Sequence, residues 1–270
     1  MDLQVLMSTM NQDDLNFLEE VNLSCPALVV NQNKTREGVV DTEYQQLSVK
    51  LINSLDRGLS RSRNLAIAHS QADICLLADD DISYHPGYVE TILQAYQDYP
   101  QADVIAFQVA RVNTSDRAKQ FRTRKSWEGY LTSMKISSVE ISFRRESIID
   151  NEITFNTDFG AGSSFSHGEE NIFLYDCLDN GLKILYLPIE IGQVDASQST
   201  WFQGYNDHYF HTLGAKFYNM SQVSYPLFIL QFAFRKYGQY KGVYSLKQAM
   251  SLMFSGAREY KKRRESNGGN

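Results

Sequence analysis

Residues 72–81 read Ala72-Asp-Ile-Cys-Leu-Leu-Ala-Asp-Asp-Asp81, an apolar run that delivers three adjacent carboxylates. An apolar run this short, bounded by polar residues, reads as a strand buried on both faces, as in a parallel sheet covered by helices. The neighbouring segments agree. Leu3 to Ser8, Ala27 to Val30, Leu47 to Ile52 and Val104 to Val109 read as further strands. Ser60 to Ala68 reads as a helix, and so does the segment from Pro86 to Tyr99, proline being tolerated in a first helical turn. A helix capped by Asp13–Asp14 is expected over Leu15 to Val21. Later, Val139 to Phe143 and Ile184 to Leu187 read as strands, the latter ended by Pro188, and Asn171 to Asn180 as a helix stopped by Gly181. Tyr205 to His211 is an aromatic-rich stretch, and from about Pro226 the content is helical and basic. Strands alternating with helices make the class α/β: a mixed, mostly parallel sheet flanked by helices, with a C-terminal helical extension. We divide the chain into residues 1–222, the sheet domain, and 223–270, the extension. The segment 111–137 is polar and irregular over much of its length and reads as a loop over one face.

Ligands of open α/β sheets bind outside the carboxyl ends of the strands, where Asp79, Asp80 and Asp81 lie. Three adjacent carboxylates repel one another unless a cation neutralises them. Oxygen ligands with an open coordination sphere suit Mg2+ or Mn2+ bridging a substrate's phosphates. On the triplet alone, a solvated acidic loop would read the same. Upstream lies Gly58-Leu-Ser-Arg-Ser-Arg-Asn-Leu-Ala-Ile-Ala-His69, and downstream come Phe159-Gly-Ala-Gly162, Gly168-Glu-Glu-Asn-Ile-Phe-Leu174 and Gly181-Leu-Lys-Ile184.

In order and spacing the upstream block, running into the acid triplet, resembles the central signature of glycosyltransferase family 2. The downstream block is similar to that family's Gly-Glu-Asp segment, which opens the helix carrying the catalytic base. The resemblance implies a GT-A-type, Rossmann-like fold and a metal-dependent, inverting transfer of a sugar from a nucleotide-diphosphate donor. A UDP-sugar comes first among the expected donors, and the acceptor would be a saccharide or lipid-linked saccharide, in the synthesis of cell-surface polysaccharide or glycoconjugate. It implies Asp81 and Asp79 as ligands of Mn2+ or Mg2+ and Glu170 as base. Thr9, Asn11, Gln32, Arg63, Asp79 and Asp80 would contact the donor, with Glu169 and His167 on the acceptor side. Arg63 suits a diphosphate because a guanidinium is a fork of donors, although a surface helix arginine would read alike. The sequence departs from the family pattern in three places. Glu170 stands where Asp is usual, and Asn31-Gln-Asn33 replaces the acidic pair that reads the nucleobase. Ser8-Thr-Met-Asn11 lacks the usual proline.

Composition narrows the alternatives. The 270 residues are 43% hydrophobic and 21% charged, enough apolar content for a large core. Residues 235–270 carry a net +7 against −6 for the whole chain, leaving −13 on residues 1–234. An acidic body argues against nucleic acid as a partner, and a basic tail beside the apolar stretch Pro226–Phe234 suggests an anionic membrane surface. Leu246, Met250 and Phe254 at helical spacing would equally serve a core. Met1–Met10 shows no basic segment followed by an apolar block, and the longest apolar run is broken by Ser224, Pro226 and Gln231. The expected location is therefore cytoplasmic, with peripheral membrane contact. Cys25, Cys75 and Cys177, odd in number and far apart, are expected as buried thiols. Two other classes compete. A sugar-1-phosphate nucleotidyltransferase would need a glycine- and arginine-rich loop where Ser8-Thr-Met-Asn-Gln12 stands. A sugar-nucleotide-binding protein without transferase activity would not need both the acid triplet and the Glu pair.

Overall fold

The computed structural model describes residues 1–113, 120–195 and 204–267. The middle of the irregular segment 111–137, residues 114–119, lies outside them. The first half contains β1 (Leu3–Met10), α1 (Leu18–Val21), β2 (Ala27–Gln32), β3 (Gly38–Tyr44), β4 (Leu47–Ser54), α2 (Leu59–His69), β5 (Ile74–Asp79), β6 (Ile82–Tyr84), α3 (Tyr88–Asp98) and β7 (Val104–Val112). The rest contains β8 (Ser126–Glu128), α4 (Tyr130–Ser133), β9 (Ile141–Arg144), α5 (Arg145–Asp150), α6 (Glu169–Asp179), β10 (Ile184–Asp195), α7 (Asp207–Met220), α8 (Tyr225–Tyr240) and α9 (Leu246–Asn267).

The strands form one sheet in the order β3-β4-β2-β1-β5-β9-β7-β10-β6, with β8 paired to β10. Strands β4, β2, β1 and β5 are mutually parallel, as are β7 and β10, and β9 runs antiparallel between β5 and β7. Side chains alternate across the pleat, so each inner strand feeds two cores. Val5, Met7, Val29, Leu76, Ala78 and Phe107 pack beneath α1 and α3. Leu6, Leu28, Val30, Cys75 and Leu77 pack on the other face with Ala66 and Ile67 of α2 and Phe173, Leu174 and Cys177 of α6. The three cysteines are buried and free, as expected.

Two local expectations need correction, and two elements were not expected. The helix expected over Leu15 to Val21 is a single turn, α1. Strand β3 pairs with β4 through a turn in which Gln45 and Gln46 take φ of 48° and 69°. Such a turn normally announces itself by Asn or Gly, and here it does not. Strand β10 does not end at Pro188 but continues to Asp195, its register shifting between Tyr186 and Gly192, so an irregularity absorbs the proline. The aromatic-rich stretch is the start of a helix, α7, which Asn206 caps by accepting from the Tyr209 N–H at 2.8 Å.

A third core joins Phe159, Phe165, Ile172 and Tyr175 to Phe210, Leu213 and Phe217 of α7, Ile229 and Phe232 of α8, and Met253 and Tyr260 of α9. The helical layer thus begins at Asp207, and the division at 222 falls inside one packed cluster. Helix α6 is the shared wall, its Phe173 and Leu174 facing the sheet and its Ile172 and Tyr175 the helical layer. Residues 171–175 of α6 are all buried, between the two cores.

Candidate active site

The two sequence blocks meet at glycines. Gly58 opens α2 at φ 126°, and Gly160 and Gly162 take φ of 102° and 80°. A Cβ on Gly162 would stand 3.4 Å from the Gly58 Cα, and one on Gly160 would stand 3.2 Å from the Ser60 Oγ. The close approach lets the Leu59 N–H donate to the Ala161 carbonyl at 2.9 Å and the Ser60 hydroxyl to the Phe159 carbonyl at 2.7 Å. Glycine is needed here for its backbone conformation and for the space.

Arg63 ties the blocks together from below. It is 1% exposed, and its guanidinium donates from Nη2 to Asp79 Oδ1 at 3.1 Å and from Nη1 to Glu169 Oε1 at 3.0 Å. Burial opposes its charge, but Asp79, Glu169 and Glu170 together push its pKa above the usual value. Its fork is occupied by two carboxylates beneath the site, and it braces the end of β5 against the start of α6.

The acid triplet does not converge on one point. Asp79 turns to Arg63, and Asp80 accepts from the Thr9 hydroxyl at the end of β1. Gln12 Nε2 donates to Thr9 Oγ1 at 3.1 Å. Asp81 is exposed, and burial of part of its carboxylate, with Asp79 and Asp80 beside it, pushes it up to about 6. Among the described residues no group of three or more His, Cys, Asp or Glu forms a cage for a metal. A pair of carboxylates whose charges repel, with no nitrogen or sulfur ligand, does fit a hard divalent cation that takes its remaining ligands from phosphate and water. The expected ligands Asp81 and Asp79 flank Asp80 at this strand end, and one oxygen of Asp79 is taken by Arg63.

The remaining donor-side residues divide. Thr9 and Gln32 are buried and engaged, Gln32 Oε1 accepting from the Gly58 N–H at 2.8 Å. Both therefore shape the floor of the site. Asn11 is exposed at the rim with φ 55°. The amide oxygens expected to read a base serve the loop itself. Asn31 Oδ1 accepts from the Gln12 N–H at 3.0 Å, and Asn33 Oδ1 accepts from the N–H groups of Thr35 and Arg36 at 3.0 and 2.6 Å.

On the opposite side, Gly168 caps α6 at φ 99°, and Glu169 and Glu170 fill the first turn, where carboxylates meet the positive end of the helix. Their environments differ. Glu169 is buried and held by Arg63; burial, with Glu170 adjacent, pushes its pKa up against the pull of Arg63. Glu170 is half-buried and opens to solvent. A wall from α7 stands next to them. Lys216 lies buried against Gly168, donating to Asn171 Oδ1 at 2.9 Å, and burial pushes its amine down while Glu170 and Glu169 oppose that. His167 stacks on Tyr209 at 4.9 Å, and burial, with Lys216 and His208 close by, pushes it down to about 3. Its Nε2 is buried without a hydrogen-bond partner. His208 Nε2 lies 3.1 Å from Ser166 Oγ. Sequence reading missed Gln12, Lys216 and Tyr209, since none belongs to a block. Asn206 at the start of α7 was the one signal that could have led to Lys216 and Tyr209.

Comparison with known proteins follows the same lines. The model of the family described as glycosyl transferase family 2 matches residues 28–168, from β2 to the cap of α6. Among solved structures, S. aureus TarS 1-349 has a TM-score of 0.63 at 14% identity, covering 95% of this chain and 81% of that one. The same protein in complex with UDP-GlcNAc gives 0.64 at 14% identity, covering 93% and 79%. No curated protein matches the chain. At this identity the likeness establishes the fold, and the expected mixed, mostly parallel sheet with helices on its faces and a helical C-terminus is the one found.

Proposed function

This chain belongs to glycosyl transferase family 2 and is a glycosyltransferase, and from that premise we propose that it moves a sugar from a nucleotide-diphosphate donor, a UDP-sugar first among them, to a saccharide or lipid-linked saccharide acceptor with inversion. The observation that carries this reading is the brace at Arg63. It couples the donor-side carboxylates of β5 to the Glu pair of α6 and leaves Glu170, not Glu169, open to an acceptor. Donor binding is further supported by a solved complex of TarS with UDP-GlcNAc on the same fold.

In the proposed reaction the acceptor hydroxyl attacks the anomeric carbon as the bond to the diphosphate oxygen breaks. The hydroxyl's proton passes to the Glu170 carboxylate. Buried Arg63 keeps positive charge beneath the carboxylate pair, which holds its pKa up against burial. Tyr209 and His167 form an aromatic wall of the kind that stacks on the apolar faces of sugar rings. A divalent ion held by Asp81 and Asp79 would neutralise charge on the departing diphosphate. Incubating the protein with a panel of nucleotide sugars and Mn2+, and following slow donor hydrolysis, tests this. Hydrolysis of one donor that stops on chelation supports the reading. Donor binding without any hydrolysis or transfer would replace it with a sugar-nucleotide-binding role.

A further inference from the structure

Helix α8 is apolar on two opposite faces. Ile229, Phe232, Ala233 and Tyr240 are buried in the helical core. On the far side Leu227 is 66%, Leu230 39% and Phe234 64% exposed, and Val223, one turn before them, is 89% exposed. Within α8, spacings of three and four residues put Leu227, Leu230 and Phe234 on one stripe along the helix. An exposed apolar stripe of this kind is a contact surface.

Charge states what it contacts. From His208 to Arg258 the sequence has no Asp or Glu, yet it contains Lys216, Arg235, Lys236, Lys241, Lys247 and Arg258, in a chain whose net charge is −6. Arg235, Lys241, Lys247 and Arg258 are exposed, and none of the four, nor the half-buried Lys236, forms a salt bridge to a described residue. Arg235 adjoins Phe234 on α8, and Lys241, seven positions after Phe234, continues the stripe at the C-terminal end of the helix. A second copy of this chain would oppose the same positive rim with itself, and like charges repel. An apolar stripe edged by unpaired cations is the composition of a helix that lies in the headgroup boundary of a bilayer. No described helix is long and apolar enough to cross a membrane, so the contact is lateral.

We propose that α8 docks this protein on an anionic lipid surface, with Leu227, Leu230 and Phe234 entering the headgroup boundary and Arg235 and Lys241 meeting lipid phosphates. The proposal stands independently of the transferase reading. It is tested by sedimenting full-length protein with vesicles of phosphatidylcholine alone or mixed with phosphatidylglycerol, at low and high salt. Binding is expected to the mixed vesicles, to fall with salt, and to drop about tenfold or more in the Leu227→Asp/Phe234→Asp variant. The Arg235→Gln/Lys241→Gln variant keeps the stripe and should lose most of its preference for anionic lipid. Both variants change surface positions, and an unchanged far-ultraviolet spectrum and thermal midpoint would show that the fold is intact. Failure to bind anionic vesicles at low salt, or equal binding by wild type and both variants, overturns the proposal. So does a wild-type dimer in solution that Leu227→Asp/Phe234→Asp dissociates, since the face would then be an interface between copies.

Discussion

Glu169 and Glu170 are the same residue type in the same helical turn, and their surroundings separate them. The open Glu170 is the proposed base, so Glu170→Gln should fold and bind donor normally yet lose roughly 10²–10⁴ in turnover, the range for removal of a general base. Glu169→Gln should do the reverse. It breaks a buried pair with Arg63 and should cost about 3 kcal/mol of stability, the low end for such a loss because Arg63 keeps Asp79. Denaturant titration and steady-state rates on both variants check the two roles together. Asp81 makes a prediction about pH. Its folded pKa of about 6 lies above its ordinary 3.8, so the folded state holds the extra proton between those values. Its contribution to stability is present below about 4 and is lost as pH rises through about 6. Asp81→Asn should therefore stabilise the metal-free protein above pH 6, by up to about 1 kcal/mol given solvent screening of an exposed side chain. It should also abolish the extra thermal stabilisation by UDP that depends on Mn2+. Melting curves across pH, with and without UDP and Mn2+, test both statements.

At the scale of elements, helices α7 and α9 approach through glycine. A Cβ on Gly214 would stand 1.7 Å from the Met253 carbonyl oxygen, and one on Gly256 would stand 1.9 Å from the His211 carbonyl oxygen. The helices cannot hold this distance with any side chain at either position. Gly256→Ala should force them apart and cost at least the 1–3 kcal/mol typical of overpacking, with a lower thermal midpoint. Because α7 carries Lys216 and Tyr209, acceptor-side rates should fall while donor binding from β1 and β5 holds. Elements whose signals are local were legible in advance. Strand β5 announced itself by its apolar run and α3 by Pro86 in the turn before it. Strand β3 did not, because its turn uses glutamines and its Val39 and Val40 are exposed on a sheet edge.

Across the whole molecule, the third core decides how far the chain can be cut. Phe159, Phe165 and Tyr175, which lie in or beside the downstream block, share it with α8 and α9. Deleting residues 223–270 would bare those aromatic faces, so the truncated protein should lose cooperative unfolding and near-ultraviolet ellipticity while full-length protein keeps both. A cooperative, active truncation would show residues 223–270 to be the separate extension that composition alone suggested.

The sequence by itself determined the class of the fold, the strand that presents the carboxylates, and the two blocks that build the site. Hydrophobic periodicity and adjacent acids are properties of consecutive residues, readable without coordinates. The tertiary structure alone decided that Arg63 is a buried brace, that Glu170 is the open carboxylate, and that the basic helices complete the core. Arg63 meets Asp79 across 16 positions and Glu169 across 106. Burial and pairing arise only when the fold brings such distant positions together, and they set whether a charge faces a ligand or another side chain.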